Sequence, residues 1–167
     1  NEKVFTFYDV AGATGLAAAL DKFEGGKLVV NVVDMPIKCP VAPLEFCFLA
    51  DWYFTDRGIR DKVEISYATP LDGAFTKPVA SAALSSLLEE KGIHLVTEFN
   101  TGEVAMNDDG AGGKLIGYDG REVPFDLAVV VPMHSGADYV GRSEGLGDDL
   151  NFVPTDKHTM QATAKSN

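Results

Sequence analysis

The run KLVVNVVDM, residues 27–35, constrains this chain more than any other stretch. Its β-branched apolar residues follow one another instead of alternating with polar ones, the pattern of a short strand buried on both faces. Such a strand needs paired neighbours and covering layers, so an open α/β sheet is expected around it. Gly25-Gly26 just before it ends a helix expected over residues 13–23.

The order of the following elements agrees with that expectation. Residues 44–55 read as a helix closed by Arg57-Gly58, and KVEISYAT, residues 62–69, as a second strand. Pro78 suits a first helical position; Ala83, Leu84, Leu87 and Leu88 then make an apolar stripe that Lys91-Gly92 stops. IHLVT, residues 93–97, is a third strand. The rhythm then changes to a small meander over residues 101–107, 113–118 and 121–124, with turns at NDDGAGG and YDGR. LAVVV, residues 127–131, returns as a buried strand, and a glycine-dotted, loop-rich stretch follows from Pro132. The fold class expected is α/β, a Rossmann-like open parallel sheet with helices and a three-stranded antiparallel meander. This is the architecture of the pyridine-nucleotide domain of two-domain flavoprotein reductases. Residues 1–25 form a lead-in segment with a short helix, residues 26–132 the α/β domain, and residues 133–167 a loop-rich return.

Composition narrows the partners. With 25 acidic against 14 basic residues the formal net charge is −11, so nucleic acid and anionic lipid should be repelled. No apolar run approaches the ~20 residues needed to span a membrane. The two cysteines, Cys39 and Cys47, make neither a disulfide framework nor a metal-binding spacing. The start at NEKVF and the stop within TDKHTMQATAKSN read as those of a piece of a larger protein. Oligomeric state is not encoded legibly.

The turn after the first buried strand is the informative departure. A dinucleotide-binding unit needs glycine there, so that backbone N–H groups can approach a pyrophosphate. Here it reads MPIKCPVAP, with three prolines and no glycine, and the second strand ends in Ser66 and Tyr67 rather than in a ribose-holding carboxylate. NAD(P) binding is therefore not expected. The one near match, GATGLAAAL at residues 12–20, precedes a helix but follows no convincing strand.

Cys39 stands at the carboxyl end of a central strand, where open α/β sheets place ligands, and near a helix N-terminus whose partial charge favours a thiolate. Lys38 adds a cation beside it. An inert cysteine and a reactive one are both compatible with these residues. Cys47 lies inside the apolar helix LEFCFLADWYF and reads as core. That helix is apolar nearly all round and is expected to be covered on both sides, by its own sheet and by something absent from this chain, its Trp52, Tyr53 and Phe54 serving as packing. Glu45, on its first turn, is either a carboxylate complementing the helix dipole or a proton acceptor for thiol chemistry. His134, in PMHSG, also follows a strand's carboxyl end and is either a candidate or an inconsequential loop histidine. His94 should face solvent; His158 gives no signal.

Over PIKCPVAPLEFCFLADWYFTDRGIRDKVEISYATP the chain resembles the sulfide:quinone oxidoreductases and the related flavocytochrome c sulfide dehydrogenase flavoproteins, members of the FAD-dependent pyridine nucleotide-disulfide oxidoreductase superfamily. The shared pattern is Cys39, Ala42, Pro43 and Glu45, then the GIRD turn at residues 58–61. ALDKFEGGKLVV, VVVPMHSG and TDKHTMQATAKSN extend it along nearly the whole chain. The resemblance implies that this is the second, NAD-like domain of such an enzyme, excised. Cys39 would be one of two redox cysteines facing FAD, and Glu45 a proton-handling carboxylate. Pro43, Pro132 and Met133 would stand beside the flavin, which is held mostly by segments outside these residues. It implies sulfide as substrate and quinone as electron acceptor, in a bacterial parent attached peripherally to a membrane through other segments, this piece being soluble. His134 replaces the family's usual aromatic, and the loop YATPLDGAFTKP lacks the histidine some members carry there. A type II NADH:quinone dehydrogenase, which would need glycines in the proline turn, and a non-enzymatic α/β binding module are the alternatives.

Overall fold

The computed structural model describes residues 3–164. Asn1 and Glu2 of the opening NEKVF, and residues 165–167 of the closing stretch, lie outside it. The chain divides into two compact units, Asn1–Met133 and His134–Asn167.

The first unit is built on a five-stranded, wholly parallel sheet. Its strands are β1 (Val4–Phe5), β2 (Gly26–Val32), β3 (Val63–Ala68), β4 (Ile93–Val96) and β8 (Leu127–Val131), in the spatial order β1-β8-β2-β3-β4. A separate antiparallel sheet holds β5 (Thr101–Met106), β6 (Gly113–Gly117) and β7 (Glu122–Phe125). Helices α1 (Val10–Lys22), α2 (Ala42–Asp56) and α3 (Pro78–Glu90) connect the first parallel strands. The α/β, Rossmann-like architecture with its antiparallel excursion is thus the observed one.

Strand β2 explains the opening sequence pattern. It pairs with β3 on one edge and β8 on the other. Leu28, Val30 and Val32 enter the core formed with the helices, and Val29 enters the core that the antiparallel sheet makes with Phe99, Leu115 and Phe125. Both faces are dry, and each fully buried Val or Leu contributes about 1.5–3 kcal/mol. The polar exception is Asn31, wholly buried on the meander side. Its amide donates to the Thr101 hydroxyl of β5 at 2.9 Å, and that hydroxyl lies 3.2 Å from the Asn31 carbonyl oxygen. A second pin is Asp126, whose carboxylate accepts the Lys27 N–H at 2.7 Å where β2 begins.

Helix α2 begins with Pro43 in its first turn and is closed by Arg57, followed by Gly58 at φ +67°, a left-handed conformation suited to glycine. It buries Leu44, Cys47, Ala50, Asp51 and Phe54, one face at helical spacing. Its other face is uncovered in this chain: Val41, Leu49 and Trp52 are exposed, Trp52 to 63%. Phe54 thus packs in this chain's core, while Trp52 lies on the face whose cover was expected from outside the chain. The GIRD turn is an anchor. Arg60 meets the Asp51 carboxylate at 2.7 Å and donates to the carbonyls of Val63 at 2.7 Å and Lys91 at 2.8 Å, tying α2 to the starts of β3 and β4. Lys91 meets the other Asp51 oxygen at 2.9 Å. Burial alone would raise the Asp51 pKa, but hydrogen bonds and charge from Lys91 and Arg60 outweigh it and hold the carboxyl below its usual range.

GATGLAAAL does follow a strand, the two-residue β1, too short for its pattern to register in the sequence. Asp9 caps α1 through the Gly12 N–H at 2.7 Å. In the second unit, α4 (Asp138–Gly141) and the surrounding loops wrap Asn151, whose carbonyl oxygen a Cβ at Gly136 would strike. That close approach accounts for glycine in the PMHSG stretch.

Replacing Arg60 by Ala leaves the buried Asp51 short of its better-covered partner and should lower stability by about 3 kcal/mol. Lys91→Ala, at a 42% exposed side chain, should cost at most about 1 kcal/mol. Chemical denaturation of both variants measures the difference. Because the folded-state pKa of Asp51 is depressed, its contribution is complete above the unfolded-state value and is lost as pH falls through the folded one. Asn31→Val should cost about 2 kcal/mol by orphaning Thr101, and Thr101→Val on top of it should recover most of that loss.

Candidate functional site at the carboxyl ends of the sheet

Where β2 and β8 leave the sheet, Val32 lies beside Val131, and the Val33 N–H donates to the Val131 carbonyl at 3.0 Å. Beyond that bond the two chains separate. Val33, Asp34 and Met133 then line, with Asn100, Thr101 and Tyr118, an open cleft of about 460 Å³. Pro132 is exposed at its edge of the sheet. This is the crevice that strand order creates in an open α/β sheet.

The proline turn runs on from the same point. The Met35 N–H is taken by the Asp34 carboxylate at 2.7 Å, and Pro36, joined to Met35 by a cis peptide, has no N–H to offer. A dinucleotide pyrophosphate needs free amide donors and positive potential here. It would meet the occupied Met35 amide and the Asp34 carboxylate.

Cys39 is exposed and carries a free thiol, while its main chain is tied down. The Cys39 carbonyl accepts the Ala42 N–H at 3.3 Å, where α2 starts, and the Tyr8 hydroxyl at 3.5 Å. Burial, and then the negative charge of Cys39, raise the Tyr8 phenol pKa, while the hydrogen bond to the Cys39 backbone pulls it the other way. Phe7 stacks on Tyr8 with ring centroids 5.0 Å apart and on Phe46 of α2 at 5.4 Å. Pro43 is buried in the first turn of α2, and Glu45 is exposed one turn in. The Glu45 carboxylate borders two apolar grooves, one lined by Phe7, Ala42, Phe46 and Leu49, the other by Val41, Phe48, Phe75 and Leu84 among others. A carboxylate thus stands on an apolar surface in the first turn of the helix that follows the thiol loop.

Cys39, Pro43 and Glu45 are held together by one loop and one helix start, and Met133 belongs to the cleft at the neighbouring strand ends. Cys39 is not among the residues lining that cleft. His134 opens the second unit, half-buried. Cys47 is wholly buried, and burial pushes its thiol far up, leaving it protonated and inert. His94 is exposed, as its strand position implies. Among the described residues no group of three or more His, Cys, Asp and Glu could hold a metal, and no helix is long and apolar enough to cross a membrane. Tyr8 escaped the sequence reading. The aromatic run VFTFYD was its signal, but only tertiary packing brings residue 8 to residue 39.

No family model matches the chain. Among curated proteins it is 27% identical over 161 residues to the mitochondrial sulfide:quinone oxidoreductase of Mus musculus, covering 95% of this chain and 36% of that protein. To the mitochondrial enzyme of the same name from Schizosaccharomyces pombe it is 26% identical over 168 residues, covering 98% of this chain and again 36% of the relative. The chain therefore spans about a third of the length of these relatives. Among solved structures, the sulfide:quinone oxidoreductase of the hyperthermophilic bacterium Aquifex aeolicus superposes with a TM-score of 0.71 at 18% identity, over 89% of this chain and 36% of that one. These findings correct one expectation: the parent was expected to be bacterial, yet the curated relatives are mitochondrial enzymes of eukaryotes. Over nearly its whole length, this chain is similar in sequence to mitochondrial sulfide:quinone oxidoreductases and shares the fold of the Aquifex aeolicus enzyme.

Proposed function

We propose that this chain is the part of a flavin-dependent sulfide oxidoreductase that presents one redox-active sulfur, Cys39. The observation that carries the reading is an exposed thiol on a main chain fixed from two sides, in a turn whose chemistry does not suit a pyrophosphate. Sulfide, as hydrosulfide, attacks an S–S bond to which Cys39 contributes. One sulfur of the broken bond departs as a thiolate and the other keeps the incoming sulfur as a persulfide. Glu45, on its apolar surround, accepts the proton that the new persulfide S–H then gives up. FAD, when bound, supplies the two-electron acceptor, and quinone is the final oxidant. Pro43, Pro132 and Met133 are this chain's proposed edge of the flavin site. The open cleft at Met133 suits an edge contact with a flavin held mainly by other segments. His134, half-buried at the start of the second unit, is a third candidate for proton handling.

The NADH:quinone dehydrogenase alternative is disfavoured by the occupied Met35 amide and the prolines of the turn. A non-enzymatic binding module would leave the exposure of Cys39 without a use.

In the native chain iodoacetamide should label Cys39 and spare Cys47, which becomes reactive only in denaturant; mass spectrometry reads both sites. Equal slow labelling of the two would count against a presented sulfur. In the full-length parent under anaerobic conditions, sulfide should bleach the flavin and NADH should not. Cys39→Ser should abolish the bleaching while leaving the flavin bound. Reduction by NADH, or reduction by sulfide that survives Cys39→Ser, would refute the proposal.

A further inference from the structure

We infer that Tyr8 is a positioning residue of the sulfur site, holding the Cys39 loop through its hydroxyl. The inference rests on the reading of Cys39 as the working sulfur, and it adds a residue that neither the motif nor the helix of Cys39 contains.

Three observations carry it. The Tyr8 hydroxyl and the Ala42 N–H converge on one acceptor, the Cys39 carbonyl, from 3.5 and 3.3 Å. The loop is thereby held both by the helix that follows it and by the β1–α1 connection, 31 residues earlier. The Tyr8 ring is itself fixed: it is half-buried and stacks on Phe7, which stacks on Phe46, the neighbour of Glu45 on α2. A rigid aromatic ladder therefore spans from the loop carrying the thiol to the helix turn carrying the carboxylate. Burial, and then the neighbouring Cys39, raise the Tyr8 phenol pKa, in keeping with that placement.

This arrangement solves a problem that the proline turn leaves open. Pro36 and Pro40 have fixed φ, and Pro40 keeps the preceding Cys39 in the extended region, but neither ring anchors the loop to the rest of the fold. An exposed residue between them needs an external hold to keep its sulfur in one place, and reacting geometries lose rate steeply with small misplacements. Tyr8 supplies that hold without covering the thiol. As a phenol it remains neutral at physiological pH, so it adds no charge to a site that already has Lys38 and Glu45 on the loop and helix start and Asp9 capping α1.

Two measurements on this chain test the inference. In the first, tyrosine ionisation is followed by ultraviolet difference spectroscopy in the native protein and in Cys39→Ser. One phenol should titrate at lower pH in the variant, because the charge that raised it is gone. A Tyr8 hydroxyl turned away from the loop, out of reach of the sulfur, would not show that shift. In the second, hydrogen exchange of the Ala42 amide is compared between the native chain and Tyr8→Phe, which keeps the ring stack. Exchange should quicken about threefold, the loss of one modest hydrogen bond. Superimposable tyrosine titrations overturn the inference. So does unchanged Ala42 exchange in a folded Tyr8→Phe chain. If Tyr8→Phe fails to fold, the titration decides, since it leaves Tyr8 in place. Neither readout depends on sulfide, so a parent that fails to bleach with sulfide would refute the sulfur reading without altering these results.

Discussion

Strand β2 is paired on both edges and covered on both faces, and the other elements are arranged around that burial. One face needs helices packed over Leu28, Val30 and Val32. The other needs the antiparallel sheet over Val29 and a partner for Asn31, which Thr101 supplies. A strand so enclosed can release its chain only at its carboxyl end. The proline turn, the cleft at Met133 and the exposed thiol of Cys39 all lie downstream of that exit or beside it. The site's position thus follows from where a doubly buried strand must end.

The same burial divides the two cysteines. Cys47 faces the sheet from α2 and is held as an inert, protonated thiol. Cys39, eight residues earlier, stands outside the core, on a loop whose backbone is fixed and whose side chain is not. Their difference is one of environment, since the residue type and even the local segment are shared. Asp51 shows the complementary case. It is a buried carboxylate kept charged because Arg60 and Lys91 reach it, and the GIRD turn thereby becomes a structural anchor more than a site of chemistry.

Local sequence grammar marked most elements to within a few residues, because the signals were strong and short-range. The β-branched runs of β2, β3 and β8, Pro78 at a helix start and Gly92 in a left-handed conformation at a helix stop each act within a turn or a strand. Strand β1 was missed because two residues carry no periodicity. The outer face of α2, whose cover was expected from outside this chain, is exposed here at Leu49 and Trp52. Of the site, the Cys39–Pro43–Glu45 spacing was legible since it lies on one continuous segment. The part played by Tyr8 was not, because its contact spans 31 residues.

The sequence by itself determined the alternation of strands and helices, the absence of phosphate-cradling glycines, and the placing of a cysteine at a strand's carboxyl end. Those are properties of neighbours along the chain, set by backbone sterics and by which residues leave water. Tertiary structure alone decided that Asn31 would be satisfied by Thr101, that Cys39 would be exposed, and that an aromatic ladder from Tyr8 to Phe46 would brace the thiol loop. Burial and hydrogen bonding between distant residues depend on how whole elements pack, and no local pattern encodes that.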